Sequence, residues 1–234
     1  MIDGPPVYAS VLFFVTTLVT IWFLLKAAEP AGRDSLPTRL LYFLLPLWLL
    51  LTGYLSTLGF YRSPEAMPPR VMAFAILPAA LCIAAYFVFF RNGFVEKLSL
   101  KWLTLVHVIR VPVEISLLLL FQAGLVPKIM TFEGWNFDII SGITAFVVYL
   151  IAFRGGRTNR ALLIVWNLFA LGLLANIVTI AVLSFVSPFQ RFGFEQPNVG
   201  LTYLPFIWLP AIVVPIVLFA HLASLWKLIL GKGD

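Results

Sequence analysis

Seven stretches of this chain are apolar, nearly free of charge and about twenty residues long, which is the length an α-helix needs to cross the hydrocarbon core of a bilayer. They cover residues 7–25, 40–58, 71–90, 102–121, 137–153, 161–186 and 204–225. A strand of a membrane barrel would alternate polar and apolar residues over about ten positions. These runs are continuously apolar, so helices are expected. Helix breakers separate them: Pro30 and Gly32, Pro64 with Pro68 and Pro69, Gly155 with Gly156, and the segment from Pro188 to Pro197.

Composition excludes the soluble alternative. The chain has 234 residues, 62% hydrophobic and 11% charged, where soluble domains carry about 25% charged residues. A soluble protein this apolar could not cover its own surface, so the solvent must be lipid. The expected fold is an all-α integral membrane protein, a single bundle of seven transmembrane helices over residues 1–234. Its first partner is the lipid bilayer. Trp22, Trp48, Trp102, Trp135, Trp208 and Trp226 lie near the ends of the apolar runs, where indole suits the headgroup level. The opening MIDGPP lacks the positive region of a cleavable signal, so the first run is read as a retained helix. No internal repeat is evident.

Lys and Arg counts give the direction. Lys26, Arg33, Arg39, Arg91, Lys97, Lys101, Arg154, Arg157, Arg160, Lys227 and Lys232 fall on one side, eleven in all, against four (Arg62, Arg70, Lys128 and Arg191) on the other. The excess belongs in the cytoplasm. The C-terminus is then cytoplasmic, the N-terminus outside, and the expected location a plasma (inner) membrane. The same bias accounts for the net charge of +6, and there is no basic, aromatic-interleaved patch to bind nucleic acid. The single cysteine, Cys82, lies inside an apolar run and excludes an internal disulfide.

The fourth run is the most polar. It carries His107, Arg110 and Glu114, which share an arc of about 60° on a helix. An arginine at this depth costs roughly 2.5–3.5 kcal/mol on insertion scales and needs a partner or water. Glu114, one turn away at i+4, is the partner the spacing predicts. Pro112 removes a backbone donor and frees the carbonyl of Val108, so the helix is expected to bend there. Two readings follow: a self-satisfied ion pair that fixes packing, or a polar cavity in which Arg110 and Glu114 meet a small molecule, an ion or protons.

Further polar residues lie at similar depth. Asn167 and Asn176 in the sixth run are nine positions apart, on opposite faces, and each reads first as a helix–helix hydrogen bond. Asn176 is also a candidate ligand or relay residue. Asn136 and Asp138 suit a helix start; the alternative is an outer vestibule rimmed by Glu133, Asn136 and Asp138. Asp138, Gly142, Ala145, Tyr149 and Ala152 form a stripe of mostly small residues that reads as tight packing. The last run contains Pro205, Pro210 and Pro215, then His221, and its freed carbonyls must be satisfied by protein or cavity water. The segment SPFQRFGFEQPN before it is read as lying in the interface, or as a lid.

His107 and His221 are the only histidines, and their matched depth allows a haem or quinone reading. Retinal proteins need a mid-helix lysine in the last span, zinc hydrolases need three or more ligands, and neither pattern is present. No catalytic or metal set emerges. The leading expectation is a non-enzymatic protein that binds or transports a small polar or anionic solute, or protons, at Arg110 and Glu114, with His107 and His221 as relay residues. The alternatives are an intramembrane enzyme or haem or quinone carrier, and a structural subunit of a larger complex. A reporter fused after Asp234 should behave as cytoplasmic and one fused before Met1 as external; the reverse pattern would show that the charge bias does not set the topology.

Overall fold

The computed structural model describes residues 4–63 and 66–230. The opening Met1–Asp3, Pro64 and Lys232, all used above, lie outside the described residues. Within them the chain is helical and forms no strands. Six helices are long and apolar enough to cross a membrane: α1 (Val7–Ala28), α2 (Leu36–Thr57), α3 (Met72–Phe89), α4 (Leu100–Gln122), α6 (Arg160–Leu183) and α7 (Leu209–Ile229). Between α4 and α6 stands a shorter apolar helix, α5 (Ile139–Ala152). The structure is therefore an all-helical bundle compatible with a membrane.

Polarity predicts which helix is central, and packing agrees. In α4, 61% of the most apolar stretch is buried, against 17% in α3. α4 packs against α1, α5 and α7, while α6 packs against α5 and α7. α2 and α3 sit at the periphery, touching mainly α1 and α7.

The prolines act as expected of residues that lack a backbone donor, and side chains answer for the carbonyls they free. Pro215 cannot bond the carbonyl of Ala211 four residues back. The indole of Trp48, in α2, donates to that oxygen at 3.1 Å. Trp208 donates in return to Leu49 O at 3.1 Å and is itself buried. These two tryptophans therefore join α2 to the start of α7. The first turn of α7 (Leu209–Val213) is a widened π turn. In α4 the turn before Pro112 tightens instead, to a 3₁₀ segment over Val106–Ile109. The seventh span begins later than the sequence suggests, because residues 204–208 precede the helix.

α5 is short and begins deep. Fourteen residues reach about 21 Å, less than the roughly 30 Å of a bilayer core. Residues 123–138 lead into α5 without an α-helix. They are backed by the segment 184–208, which is tied to them: Gln196 Nε2 donates to Phe121 O at 2.9 Å and to Val126 O at 2.6 Å, and the Gly200 N–H donates to Leu125 O at 2.7 Å. The SPFQRFGFEQPN segment is thus fastened, through Gln196, to the end of α4 and to the residues that follow it. At the other end of α5, Gly155 and Gly156 turn the chain with φ of 67° and 73°, a region that costs glycine nothing.

Gly142 fixes the distance between α5 and α4. A Cβ there would stand 2.8 Å from the backbone nitrogen of Val111 and 3.2 Å from Arg110 Cβ. Gly142→Ala should therefore force the helices apart, at a cost of about 1–3 kcal/mol. Gly172 in α6 has nothing within 4 Å of an added Cβ, so Gly172→Ala should be neutral or stabilising. Thermal unfolding of the purified variants distinguishes the two, and equal Tm values would refute the close approach.

Candidate functional site

Arg110 is buried in mid-bundle, 2% exposed. Its ion-pair partner is Asp138, with Nη1 3.2 Å from Oδ1. The same Nη1 donates to Ala170 O in α6 at 3.2 Å. The i+4 pairing with Glu114 expected from the sequence does not form. Asp138 precedes the first residue of α5, and its side chain makes no capping hydrogen bond to that helix. It turns across the interface to the guanidinium, through the gap that Gly142 keeps narrow. Coulomb attraction at this range in a poorly solvated interior outweighs the roughly 1 kcal/mol of a helix cap.

Glu114 is held by Asn136. Asn136 Nδ2 lies 2.7 Å from Oε1 and 2.6 Å from Oε2, and it also donates to Met130 O at 2.9 Å. Asn136 Oδ1 accepts the Asp138 N–H at 3.0 Å, an Asx turn that leads the chain into α5. Asn136 and Asp138 are both buried, and only Glu133 of the three expected vestibule residues is exposed. Asn136 and Asp138 therefore belong to the interior cluster, not to an outer rim. Asn176 stands apart from it and donates to Trp135 O at 2.8 Å, which fastens α6 to the segment before α5.

A second layer lies toward the other end of α4. The rings of His107 and His221 stack with centroids 3.9 Å apart, inclined by 26°. Trp166 meets His107 edge-on at 5.2 Å. Asn167 Nδ2 donates to Leu163 O at 2.8 Å, which leaves its Oδ1 to accept from His221 Nδ1 at 2.8 Å. The hydrogen of His221 is thereby assigned to Nδ1. Two histidines that ligate one haem stand on opposite faces of the macrocycle. Rings in mutual contact leave no room for one, so the haem expectation is withdrawn.

Beside the first layer is a cavity of about 270 Å³. It is bounded by α3, α4, α6 and α7 and by Met130, and its wall is apolar except for Glu114 and Asp138. Arg110, His107 and His221 are not part of that wall. Arg110 stands behind it, its charge engaged by Asp138, and does not offer the free positive charge on which an anion site was expected to rest. Several polar groups nonetheless make no hydrogen bond: Nε and Nη2 of Arg110, Oδ1 of Asp138, Oγ of Ser141, both ring nitrogens of His107 and Nε2 of His221.

Sequence reasoning placed Arg110 and Glu114 together but mispaired them, and it left Asn167 out of the candidate set. One signal pointed to Asp138. A buried arginine needs a carboxylate, and besides Glu114 the only acid at comparable depth is the one that opens the fifth run.

An all-helical, membrane-compatible bundle with a charged cluster around its central helix is the class that fold and site define. Residues 67–229 match the family described as a domain of unknown function, DUF8737, and the chain belongs to that family. The match takes in α3 to α7 and every residue of both layers. No curated protein and no solved structure matches the chain.

The pairing is open to a double-mutant cycle. Truncating one member of a buried ion pair costs roughly 3–5 kcal/mol, because the other charge is stranded. Arg110→Met and Asp138→Leu should each destabilise the protein, and the double variant should recover much of the loss. Coupling between Arg110 and Glu114, measured with Glu114→Leu, should be the smaller. A larger coupling to Glu114 would overturn the assignment.

Proposed function

We propose that this is a polytopic membrane protein of seven spans, with its N-terminus outside and its C-terminus in the cytoplasm of a cell bounded by that membrane. In this reading it binds a small solute, or protons, in the cavity beside Glu114 and Asp138 and carries them across the bilayer, without catalysing a reaction. α5 counts as the seventh span, with residues 123–138 completing its path.

The observation that carries the proposal is the cavity of about 270 Å³ with two carboxylates in an otherwise apolar wall. An ionisable group inside a membrane is expensive and is kept where it serves a pathway. Non-helical backbone at that depth is tolerated where protein covers it or where it lines a cavity. Here such backbone delivers Asn136 and Asp138 to the level of Glu114 and Arg110. Substrate sites formed at interrupted helices are a recurrent device of carriers. The stacked His107 and His221, farther along the bundle, are placed in this reading as a second station on a proton's path.

Leu174, buried in α6, lines the cavity. Leu174→Trp should fill the cavity and leave the fold intact. Small solutes that raise the Tm of the wild-type protein should lose that effect in the variant, and any solute or proton flux into proteoliposomes should fall to the protein-free level. Unchanged stabilisation and flux in Leu174→Trp would remove the cavity from the function.

A further inference from the structure

We infer that the ligand of this cavity is a small amphipathic cation, a protonated amine on an apolar body, whose ammonium group is received by Glu114 with Asp138 beside it. This rests on the cavity reading above and narrows it to a substrate class.

Charge is the first ground. The cluster holds one guanidinium, Arg110, and two carboxylates, Glu114 and Asp138. Arg110 is engaged by Asp138 at 3.2 Å, and the contacts of Glu114 are to the neutral amide of Asn136. The carboxyl group of Glu114 therefore faces the cavity with no cation in contact. A ligand cation can pair with its ionised form; an anion would meet two carboxyl groups with the arginine behind them.

Geometry is the second ground. Asp138 is 4% exposed and lines the cavity beside Glu114. Its Oδ1 is taken by Arg110 at 3.2 Å, so the receiving carboxyl group is that of Glu114. An ammonium carries three donors and no acceptor, which suits a wall whose polar atoms are carboxylate oxygens. The remainder of the wall, including Leu117, Leu171, Leu174 and Val178, suits an apolar body. Size is the third ground. At about 270 Å³ the cavity has room for a phenylalkyl amine and is several times smaller than a phospholipid.

Three probes of one shape test this on the full-length protein in nanodiscs: 3-phenylpropylamine, 3-phenylpropanol and 3-phenylpropionate, measured by titration calorimetry and thermal stabilisation. The amine should bind saturably and about tenfold tighter than the alcohol, the difference a charge-assisted hydrogen bond makes, and the carboxylate should not bind. Glu114→Gln should bring the amine down to the level of the alcohol. If the alcohol equals the amine in the wild-type protein, or the carboxylate binds best, the cation class is overturned while the cavity reading stands. If none of the three binds, the cavity reading fails and this inference with it. The wild-type comparison decides the matter even if Glu114→Gln does not fold.

Discussion

The guanidinium of Arg110 sits where water does not reach, and much of the bundle is arranged around that fact. A buried charge of this kind is tolerated only with a counter-charge and hydrogen-bond acceptors in contact. Asp138 supplies the first and the carbonyl of Ala170 an acceptor. Because those groups come from α5 and α6, the arginine on α4 binds three helices to one another. The central position of α4 follows from the same need, since a helix carrying His107, Arg110 and Glu114 cannot turn that face to lipid.

Satisfying Arg110 constrains the backbone around it. Asp138 reaches the guanidinium only because α5 starts deep in the bundle and approaches α4 closely at Gly142. A helix that starts so deep leaves a non-helical segment behind it, and that segment needs its own hydrogen bonds. Asn136 provides several at once, bonding Glu114, Met130 O and the Asp138 N–H. The segment 184–208 then closes over it through Gln196 and Gly200. Short α5, interrupted backbone and fastened loop are consequences of one buried charge and its partner.

Glu114 and Asp138 share the cavity wall, while the histidines form a separate layer that does not open onto it. The proposed binding site and the proposed proton path thus use neighbouring parts of α4. Carboxylates face the apolar cavity, and stacked imidazoles lie between it and the basic end of the bundle. Arg110 lies between the two layers along α4, outside the cavity wall, and its ion pair holds Asp138 against that helix.

Local pattern determined a great deal here. Apolar runs of bilayer length have one economical outcome, because a backbone out of contact with water must bond to itself, and so the helices and the segments between them were legible to within a few residues. The stripe through Gly142 announced close packing, and the shared face of His107, Arg110 and Glu114 announced a buried polar surface. Which side chains meet was not legible. Spacing along one helix favoured Glu114 as the partner of Arg110, and the helix-start position of Asp138 favoured a cap. Both are local preferences worth about a kilocalorie or less. An ion pair across an interface between helices is stronger when water is excluded, and its existence depends on the distance between α4 and α5, which no single stretch of sequence encodes. Tertiary structure alone decided that pairing, the contact that excludes a haem between the histidines, and the cavity, because each is a property of the space between helices.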